Sequence, residues 1–410
     1  MAATLRWTSL ADVTCFVKEH GPFKVVFKGP EDESGEIKQD FKLVDNEFSW
    51  SKAANMLYVD SPAGVGMSYS ETLADYHTND TATIADLHTF PGAFPEFEGA
   101  DFYVAGESYA GVYVPLLVAS VAEAEDGRGD RAALPVRLRG YLVGNPVADT
   151  ARDADASKSL ISARLYEHAW RACDGGRFHA ARSAECRAAR EEMDALVRDI
   201  NHYDILGGCY HGKNPYAGEG GDDDDATALR RLRLTNNTPA SFSAGAIAVP
   251  LEARMLGHTP RCLDQRAMWA FANSPAVRAA IHARPIAEIG AFDECTNGDR
   301  IRYRAQHDSV LGLHAALARR PGLAALVYSG DHDMVIPHTS TEAWTADLGL
   351  RVRAPWAPWT RDDAQVAGFA VHYDGLVYAT VLGAGHAVPE SKPREALALF
   401  SKFLRDGRLR

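Results

Sequence analysis

Hydrophobic residues along the chain fall into short continuous runs that end in turn-forming residues, and helical patterns separate these runs. An apolar run of this length bounded by Gly, Asp or Asn is typical of a strand that is buried on both faces. We predict such strands at 55–60, 101–105, 138–145, 323–330 and 376–383. Residues 113–125 and 394–404 repeat their apolar positions at helical spacing. The alternation of strands and helices predicts an α/β fold, with a mostly parallel central sheet flanked by helices.

The middle of the chain has a different pattern. Residues 151–215 are rich in Ala, Arg and Glu at helical spacing, which predicts a mainly helical region. Between residues 216 and 240, the acidic run Glu219–Asp225 is followed by the basic sequence RRLRLTNN. Adjacent runs of opposite charge are typical of a flexible, solvated loop. The alternative interpretation is an exposed site for proteolytic processing.

Composition and charge exclude several classes of protein. Of the 410 residues, 46% are hydrophobic and 24% are charged, which is globular composition. No apolar stretch is long enough for a membrane-spanning helix, so we expect no membrane insertion. The net charge of −12 argues against nucleic-acid binding, because phosphate backbones are bound by basic surfaces.

The six cysteines favour an oxidising compartment. None of them forms a C-x-x-C pair, so zinc-ribbon and thioredoxin interpretations have no support. Four flank polar, loop-rich sequence, where crosslinks are useful: Cys173, Cys186, Cys209 and Cys262. Asn79 and Asn236 each begin a glycosylation-type triplet. The opening residues, however, lack the charged and apolar regions of a signal peptide.

A serine lies in a glycine-rich turn between a predicted strand and a predicted helix. The sequence Gly106–Gly111 reads GESYAG and contains G-x-S-x-A. A sharp strand-to-helix turn exposes a serine hydroxyl, and small neighbours avoid clashes there. We therefore predict Ser108 as a nucleophile, with the backbone N–H of Tyr109 as an oxyanion-hole donor at the start of the helix.

A serine nucleophile needs a base and an orienting carboxylate, which in α/β-hydrolases follow it along the chain. Strand 323–330 leads into Asp331 and Asp333, and strand 376–383 leads into His386 in a glycine-lined turn. The order Ser, Asp, His and the position of each at a strand end fit this arrangement. Both aspartates remain candidates on spacing alone.

Several motifs resemble the serine carboxypeptidase family. The longest are NMLYVDSPAGVGMSYS (55–70), GESYAGVYVP (106–115), YSGDHDMVIP (328–337) and GAGHAVPESKP (383–393). Shorter matches are EHGPF (19–23), NEFSW (46–50), LVGNP (142–146) and INHYDI (200–205). The resemblance implies an α/β-hydrolase fold with a core at 1–150 and 300–410 and an inserted, mainly helical cap at 151–299.

The resemblance also implies the function and the roles of particular residues. It implies release of C-terminal amino acids from peptides at acidic pH, with Ser108 as nucleophile, His386 as base and Asp333, rather than Asp331, as the orienting acid. Glu19 and Glu107 match the acidic pair that binds the substrate's terminal carboxylate. Two close carboxyl groups cannot both ionise cheaply, so one retains a proton and donates a hydrogen bond. The family uses no metal or organic cofactor, resides in lysosomes, vacuoles or secretions, and includes homodimers.

One family segment has no counterpart in this sequence. Where the family carries WLNGGPGCSS, residues 5–10 read LRWTSL, without the Gly, Asn or Cys. We therefore expect the N-terminal part of the sheet to be incomplete and half of the oxyanion hole to be absent. Losing one oxyanion donor costs about 2.7–4 kcal/mol. An incomplete gene product of an active enzyme and a divergent homologue with impaired activity are the two explanations.

The missing cysteine and the scaffold leave further alternatives open. By resemblance Cys295 would pair with the absent cysteine, which leaves Cys15 as a substitute partner or a thiol. The other four would form two bridges that clamp the cap, with three pairings to choose from. Relatives on this scaffold include acyltransferases and esterases, so the fold does not decide the reaction. A binding protein with an inactive site is the non-enzymatic alternative.

Overall fold

The computed structural model describes residues 4–8, 14–27, 41–153, 160–175, 183–210, 262–294 and 301–409. The charged stretch at 216–240, the triplet at Asn236 and Cys295 lie outside the described residues. Within the described part of the chain, no helix combines the length and the apolar character needed to cross a bilayer.

The described residues contain a central sheet of eight strands. In spatial order these are β10 (Val352–Thr360), β11 (Val366–Tyr373), β12 (Leu376–Val381), β9 (Ala324–Gly330), β7 (Arg137–Gly144), β6 (Asp101–Glu107), β1 (Thr4–Thr8) and β4 (Leu57–Tyr58). Neighbours from β12 to β4 run parallel, whereas β10 and β11 are antiparallel. The predicted mostly parallel sheet is confirmed, and all five predicted strands belong to it.

Both faces of this sheet are covered, which explains the continuous apolar runs. Along β7, Tyr141 and Val143 join one buried cluster, whereas Leu142 joins the cluster on the opposite face. Along β9, Val327 and Leu326 divide between the two faces in the same way. Because successive strand residues point to opposite sides, a strand with helices on both sides has no polar face.

Helices flank the sheet and fill the region after it. The longer ones are α1 (Asp80–Thr89), α2 (Ala110–Glu125), α4 (Ala163–Ala172), α5 (Ala184–Val197), α9 (Leu311–Ala318), α10 (His338–Ala346) and α12 (Pro393–Asp406). The shorter ones are α3 (Thr150–Asp153), α6 (Arg266–Ala272), α7 (Pro275–Ala280), α8 (Ile286–Ile289) and α11 (Val388–Ser391). The predicted helices at 113–125 and 394–404 correspond to α2 and α12. Short 3₁₀ turns span Trp50–Lys52, Leu73–Tyr76, Phe90–Ala93 and Pro95–Phe97.

Residues near the N-terminus form structure that the apolar pattern did not predict. Thr4–Thr8 is β1, which lies between β6 and β4. A π-helix at Cys15–Glu19 follows it. The hairpin of β2 (Phe23–Phe27) and β3 (Phe41–Asp45) comes next and packs on α6 through Phe271. A small parallel pair, β5 (His77–Asn79) and β8 (Arg302–Arg304), completes the strands of the described residues.

Two disulfides lie in the predicted cap. Cys173 bonds to Cys186 and links α4 to α5, and Cys209 bonds to Cys262 across 53 residues. The prediction of two bridges among these four cysteines is confirmed, and the structure selects one of the three pairings. Cys15 is a buried thiol.

Candidate active site

The predicted nucleophile lies in the turn between β6 and α2. Ser108 has a φ of +59°, a left-handed conformation that is uncommon for a residue with a side chain. Its backbone N–H donates to the Gly144 carbonyl at 3.0 Å, and its carbonyl accepts from Val147 N at 2.9 Å. The strain of the turn is therefore held by hydrogen bonds to the end of the neighbouring strand β7.

A glycine in this turn allows the close approach of the next loop. A Cβ atom on Gly111 would lie 2.3 Å from the Val147 carbonyl oxygen, far closer than van der Waals contact. Ala110, which stands where the G-x-S-x-G pattern has its last glycine, is fully buried. The serine turn thus requires small residues on its helical side, as the sequence indicated.

The predicted orienting acid and the predicted base are in direct contact. His386 Nδ1 lies 2.7 Å from Asp333 Oδ2, and both side chains are buried. They follow β9 and β12, which are adjacent parallel strands, so both lie at the same edge of the sheet as Ser108. Parallel strands bring their carboxyl ends to one edge, and this is where α/β folds place their ligands.

The competing aspartate faces a different group. Asp331 Oδ1 accepts a hydrogen bond from the backbone N–H of Gly383 at 2.6 Å. This contact holds the loop that follows β12. The carboxylate that contacts the imidazole of His386 is that of Asp333. Geometry therefore favours Asp333 as the residue that orients His386.

Asn145 is a site residue that the sequence analysis did not single out. Its Nδ2 donates to Asp333 Oδ2 at 2.6 Å, and its Oδ1 accepts from Gly330 N at 3.2 Å. It is fully buried with a φ of +41°, a conformation that asparagine tolerates better than most residues. Asn145 directly follows Gly144, so it connects the serine turn to the acid. The only signal in the sequence was its position in the LVGNP motif.

A segment of the cap contacts the loops of both Asp333 and His386. His386 N donates to the Tyr203 carbonyl at 2.6 Å, and the Tyr203 ring stands edge-on to the imidazole at 4.8 Å. Met334 N donates to the His202 carbonyl at 2.9 Å. The INHYDI motif therefore holds the base and the acid from the cap side, a role that no local sequence signal indicates.

Glu19 and Glu107, the predicted carboxylate-binding pair, face one small cavity. The walls of this cavity are Cys15, Glu19, His20, Trp50, Ala105, Gly106, Glu107 and Tyr328. Burial, the Glu19 carboxyl and Asp333 raise the pKa of Glu107 well above its ordinary value. Burial and Glu390 raise the pKa of Glu19 to about 7. Both shifts act in the direction that favours a retained proton, and the role of the pair stays a prediction.

A lysine and two further glutamates surround this pair. Lys18 Nζ lies 3.8 Å from Glu294 Oε1 and 3.5 Å from Glu390 Oε1. Burial opposes a charge on Lys18, but these carboxylates outweigh it and raise its pKa. No local sequence pattern indicates this cluster, because Lys18, Glu294 and Glu390 come from three distant segments of the chain.

An open groove of about 400 Å³ adjoins the cluster and reaches the cap. Its walls are Lys18, Asn201, Gly208, Cys209, Tyr210, Cys262, Leu263, Asp264 and Glu390. The disulfide between Cys209 and Cys262 therefore forms part of a wall of the groove.

Of the predicted oxyanion hole, the structure describes the residue whose backbone N–H is the expected donor, Tyr109. Tyr109 follows Ser108 at the start of α2, where the first backbone N–H groups of a helix have no intrahelical acceptor. Its hydroxyl donates to Asp80 at 3.1 Å and anchors the ring in the core. Residues 9–13, which follow β1, lie outside the described residues, so the absence of a second donor stays a prediction.

A serine in a strained strand-to-helix turn and an Asp–His pair at later strand ends of one parallel sheet define an α/β-hydrolase of the serine type. The profile of the serine carboxypeptidase family matches residues 11–406. The chain therefore belongs to the serine carboxypeptidase family, as its motifs suggested.

Individual relatives agree with this assignment. Serine carboxypeptidase 1 of Hordeum vulgare is 37% identical over 96% of this chain and 81% of its own length. Serine carboxypeptidase-like 21 of Arabidopsis thaliana is 37% identical over 95% and 81%. Among solved structures, the prohormone-processing carboxypeptidase Kex1(delta)p of Saccharomyces cerevisiae matches with a TM-score of 0.69 and 17% identity. That match covers 99% of this chain and 83% of that chain and supports the fold.

Proposed function

We propose that this protein removes C-terminal amino acids from peptides and proteins in acid, through an acyl-enzyme on Ser108. The observation that carries the proposal is the 2.7 Å contact between Asp333 and His386 at the sheet edge that also holds the strained Ser108 turn. Asp333 keeps a proton on Nδ1 of His386, so the other ring nitrogen is the base.

The reaction proceeds in two steps. Ser108 Oγ attacks the carbonyl carbon of the last peptide bond while His386 takes the hydroxyl proton. The C–N bond breaks as His386 returns that proton to the leaving amine, and an ester on Ser108 remains. Water then loses a proton to His386 and attacks the ester. The bond between the acyl carbon and Ser108 Oγ breaks, His386 returns the proton to Ser108 Oγ, and the shortened peptide leaves. The Tyr109 N–H stabilises the oxyanion in both steps.

Glu19 and Glu107 give the enzyme its preference for a free C-terminus. Their shared cavity opens beside Gly106 and Glu107, immediately before the nucleophile in the chain. In acid the protonated pair donates a hydrogen bond to the substrate carboxylate, whereas the ionised pair repels it. Peptidase activity should therefore fall as the pH rises toward neutrality.

The compartment follows from the same chemistry. Two disulfides in the cap require an oxidising environment. Together with an acid-active site, they favour a lysosome, a vacuole or secretion.

Labelling and hydrolysis with matched substrates test the proposal. A fluorophosphonate probe should modify Ser108 in the folded protein, and Ser108→Ala should remove the label. At acidic pH the protein should release the last residue of an N-blocked dipeptide faster than it cleaves the C-terminally amidated analogue. Labelling with no dipeptide hydrolysis but with turnover of an acyl-glucose ester would indicate an acyltransferase, and no labelling would indicate an inactive homologue.

A further inference from the structure

Three potential metal ligands lie on a single turn beside the carboxylate-binding cavity. Cys15, Glu19 and His20 are buried, and one ligand atom of each lies within 4.8 Å of the others. The turn is the π-helix at Cys15–Glu19, in which His20 N donates to the Cys15 carbonyl at 3.1 Å. This i→i+5 bonding places residues five apart above one another, so Cys15 and His20 share a face with Glu19.

Contacts with neighbouring residues orient these side chains so that their potential metal-binding atoms lie close together. Cys15 Sγ lies 3.3 Å from Glu19 Oε1, and His20 Nε2 lies 4.0 Å from Glu19 Oε2. His20 Nδ1 bonds to the Tyr58 hydroxyl at 3.0 Å, and its ring stacks on Trp50 at 4.3 Å. The stacking and the Nδ1 bond orient the imidazole so that Nε2 is the nitrogen directed at Glu19, as outer contacts of metal-binding histidines do.

One sulfur, one imidazole nitrogen and one carboxylate oxygen form a donor set that suits zinc. Around tetrahedral zinc, with bonds of about 2.0–2.3 Å, neighbouring ligand atoms are roughly 3.3–3.6 Å apart. The observed separations of 3.3 Å for sulfur to Glu19 and 4.0 Å for His20 Nε2 to Glu19 are close to that range. All three ligands also line the cavity that holds Glu107, which leaves a fourth position for Glu107 or water.

We propose that Cys15, Glu19 and His20 bind a zinc ion that blocks the carboxylate-binding cavity and inhibits the enzyme. The ion forms bonds to Cys15 Sγ, a Glu19 carboxylate oxygen and His20 Nε2, and the proton of the Cys15 thiol and any proton on the Glu19 carboxyl leave to solvent. The hydrogen bond from that thiol to Glu19 is replaced by the two metal bonds. Binding needs only the fold, whereas the inhibition rests on the proposed carboxypeptidase function.

Cobalt titration of the whole purified protein tests the site without measuring activity. Co²⁺ bound to a thiolate gives a sulfur-to-metal charge-transfer band, and tetrahedral Co²⁺ gives strong visible absorption. We expect both in the wild type, with zinc displacing cobalt. Cys15→Ser keeps a donor for Glu19 but not a soft ligand, so it should lose the band and weaken zinc binding at least about 10-fold.

Two matched variants control for other ligands. Cys295→Ser replaces a cysteine that lies outside the described residues, and His88→Gln removes a buried histidine whose ring bonds Ser120 and the Ala132 carbonyl. Both should retain the cobalt spectrum. A wild type without the charge-transfer band, or a band that survives Cys15→Ser and disappears in Cys295→Ser, overturns the site.

Activity measurements test the inhibition separately. With an N-blocked dipeptide, zinc should raise KM in the wild type, a chelator should reverse the effect, and Cys15→Ser should need about 10-fold more zinc. If cobalt binds at Cys15 but zinc leaves hydrolysis unchanged, the inhibitory part is wrong and the site stands. If the protein hydrolyses no dipeptide yet shows the cobalt band, the proposed function fails and the site stands.

Discussion

The surroundings of the Asp333 carboxylate make Asp333→Asn the sharpest test of the site. Oδ2 accepts from Asn145 Nδ2 at 2.6 Å and from Ile336 N at 3.3 Å, and it contacts His386 Nδ1 at 2.7 Å. Oδ1 accepts from Val335 N at 2.7 Å. Both oxygens therefore face hydrogen-bond donors.

An asparagine at position 333 must direct its NH₂ group at one of these donors. If the NH₂ faces His386, the imidazole accepts on Nδ1 and carries its proton on Nε2, so it can no longer deprotonate Ser108. We expect kcat to fall about 10⁴-fold, or roughly 5.5 kcal/mol of transition-state stabilisation. If the NH₂ faces Val335 N instead, a buried hydrogen bond is lost at a cost of about 1–3 kcal/mol in stability.

Asp331→Asn is the matched control, because it removes the same charge two positions away in the same loop. The Asp331 carboxylate accepts the backbone N–H of Gly383, and an asparagine carbonyl at this position can still accept it. Its kcat for an N-blocked dipeptide in acid should stay within about 10-fold of the wild type. Circular dichroism would verify that both variants fold. An Asp333→Asn variant that keeps both the activity and the unfolding stability of the wild type, or an Asp331→Asn variant as impaired as Asp333→Asn, would refute this assignment of the triad.

Three further predictions follow from the same geometry. Asn145→Asp places a second carboxylate against Asp333, so kcat measured with the dipeptide should fall about 10- to 100-fold; an unchanged kcat would contradict its positioning role. Burial raises the pKa of Glu107, which therefore loses its proton as the pH rises. KM measured across pH with a chelator present should rise with pH in the wild type and less in Glu107→Gln; parallel profiles would contradict this. Replacing both cysteines of the Cys209–Cys262 bridge by serine should lower the free energy of unfolding, measured with denaturant, by about 4 kcal/mol. The same change at Cys173–Cys186 should lower it by about 3 kcal/mol, because that bridge closes a shorter loop. A larger loss at Cys173–Cys186 would contradict this prediction.

The sequence predicted the central strands because their environment is uniform. A parallel strand between two layers of helices has apolar residues at every position, so β6, β7, β9 and β12 stand out from their polar loops. Helix α2 was predicted for the same reason, since it packs its apolar side chains against β6 and β7. These elements hold Ser108 and lead into Asp333 and His386, which is why the site could be outlined from sequence.

Strands at the margins of the sheet carry no such signal. β10 contains Pro355 and Pro358, which argue against a central strand, and the structure places it at an edge, where prolines are tolerated. β1 mixes Leu5 and Trp7 with polar residues and is only five residues long. Its place between β6 and β4 depends on pairing with residues roughly 50 to 100 positions away, and no local pattern encodes that.

The residues that support the site were also beyond local patterns. Asn145 reaches Asp333 across 188 positions of the chain, and its backbone adopts a positive φ that many loop asparagines share. Spacing alone left Asp331 and Asp333 open, and the resemblance to the family favoured Asp333. The contact with His386 gives a physical reason for that preference, because only a carboxylate in contact with the imidazole can set its tautomer.

The acidic cluster around Lys18 explains why the carboxylate pair can retain a proton. Glu294 and Glu390 both lie within 4 Å of the Lys18 ammonium, so this single positive charge is shared between two carboxylates other than Glu19. Burial and Glu390 raise the pKa of Glu19 by more than Lys18 lowers it. Burial is also the largest cause of the raised pKa of Glu107. Lys18 directly precedes Glu19, and Glu390 follows the base by four residues. The ion pair between Lys18 and Glu390 therefore ties the turn that carries Glu19 to the segment that follows His386.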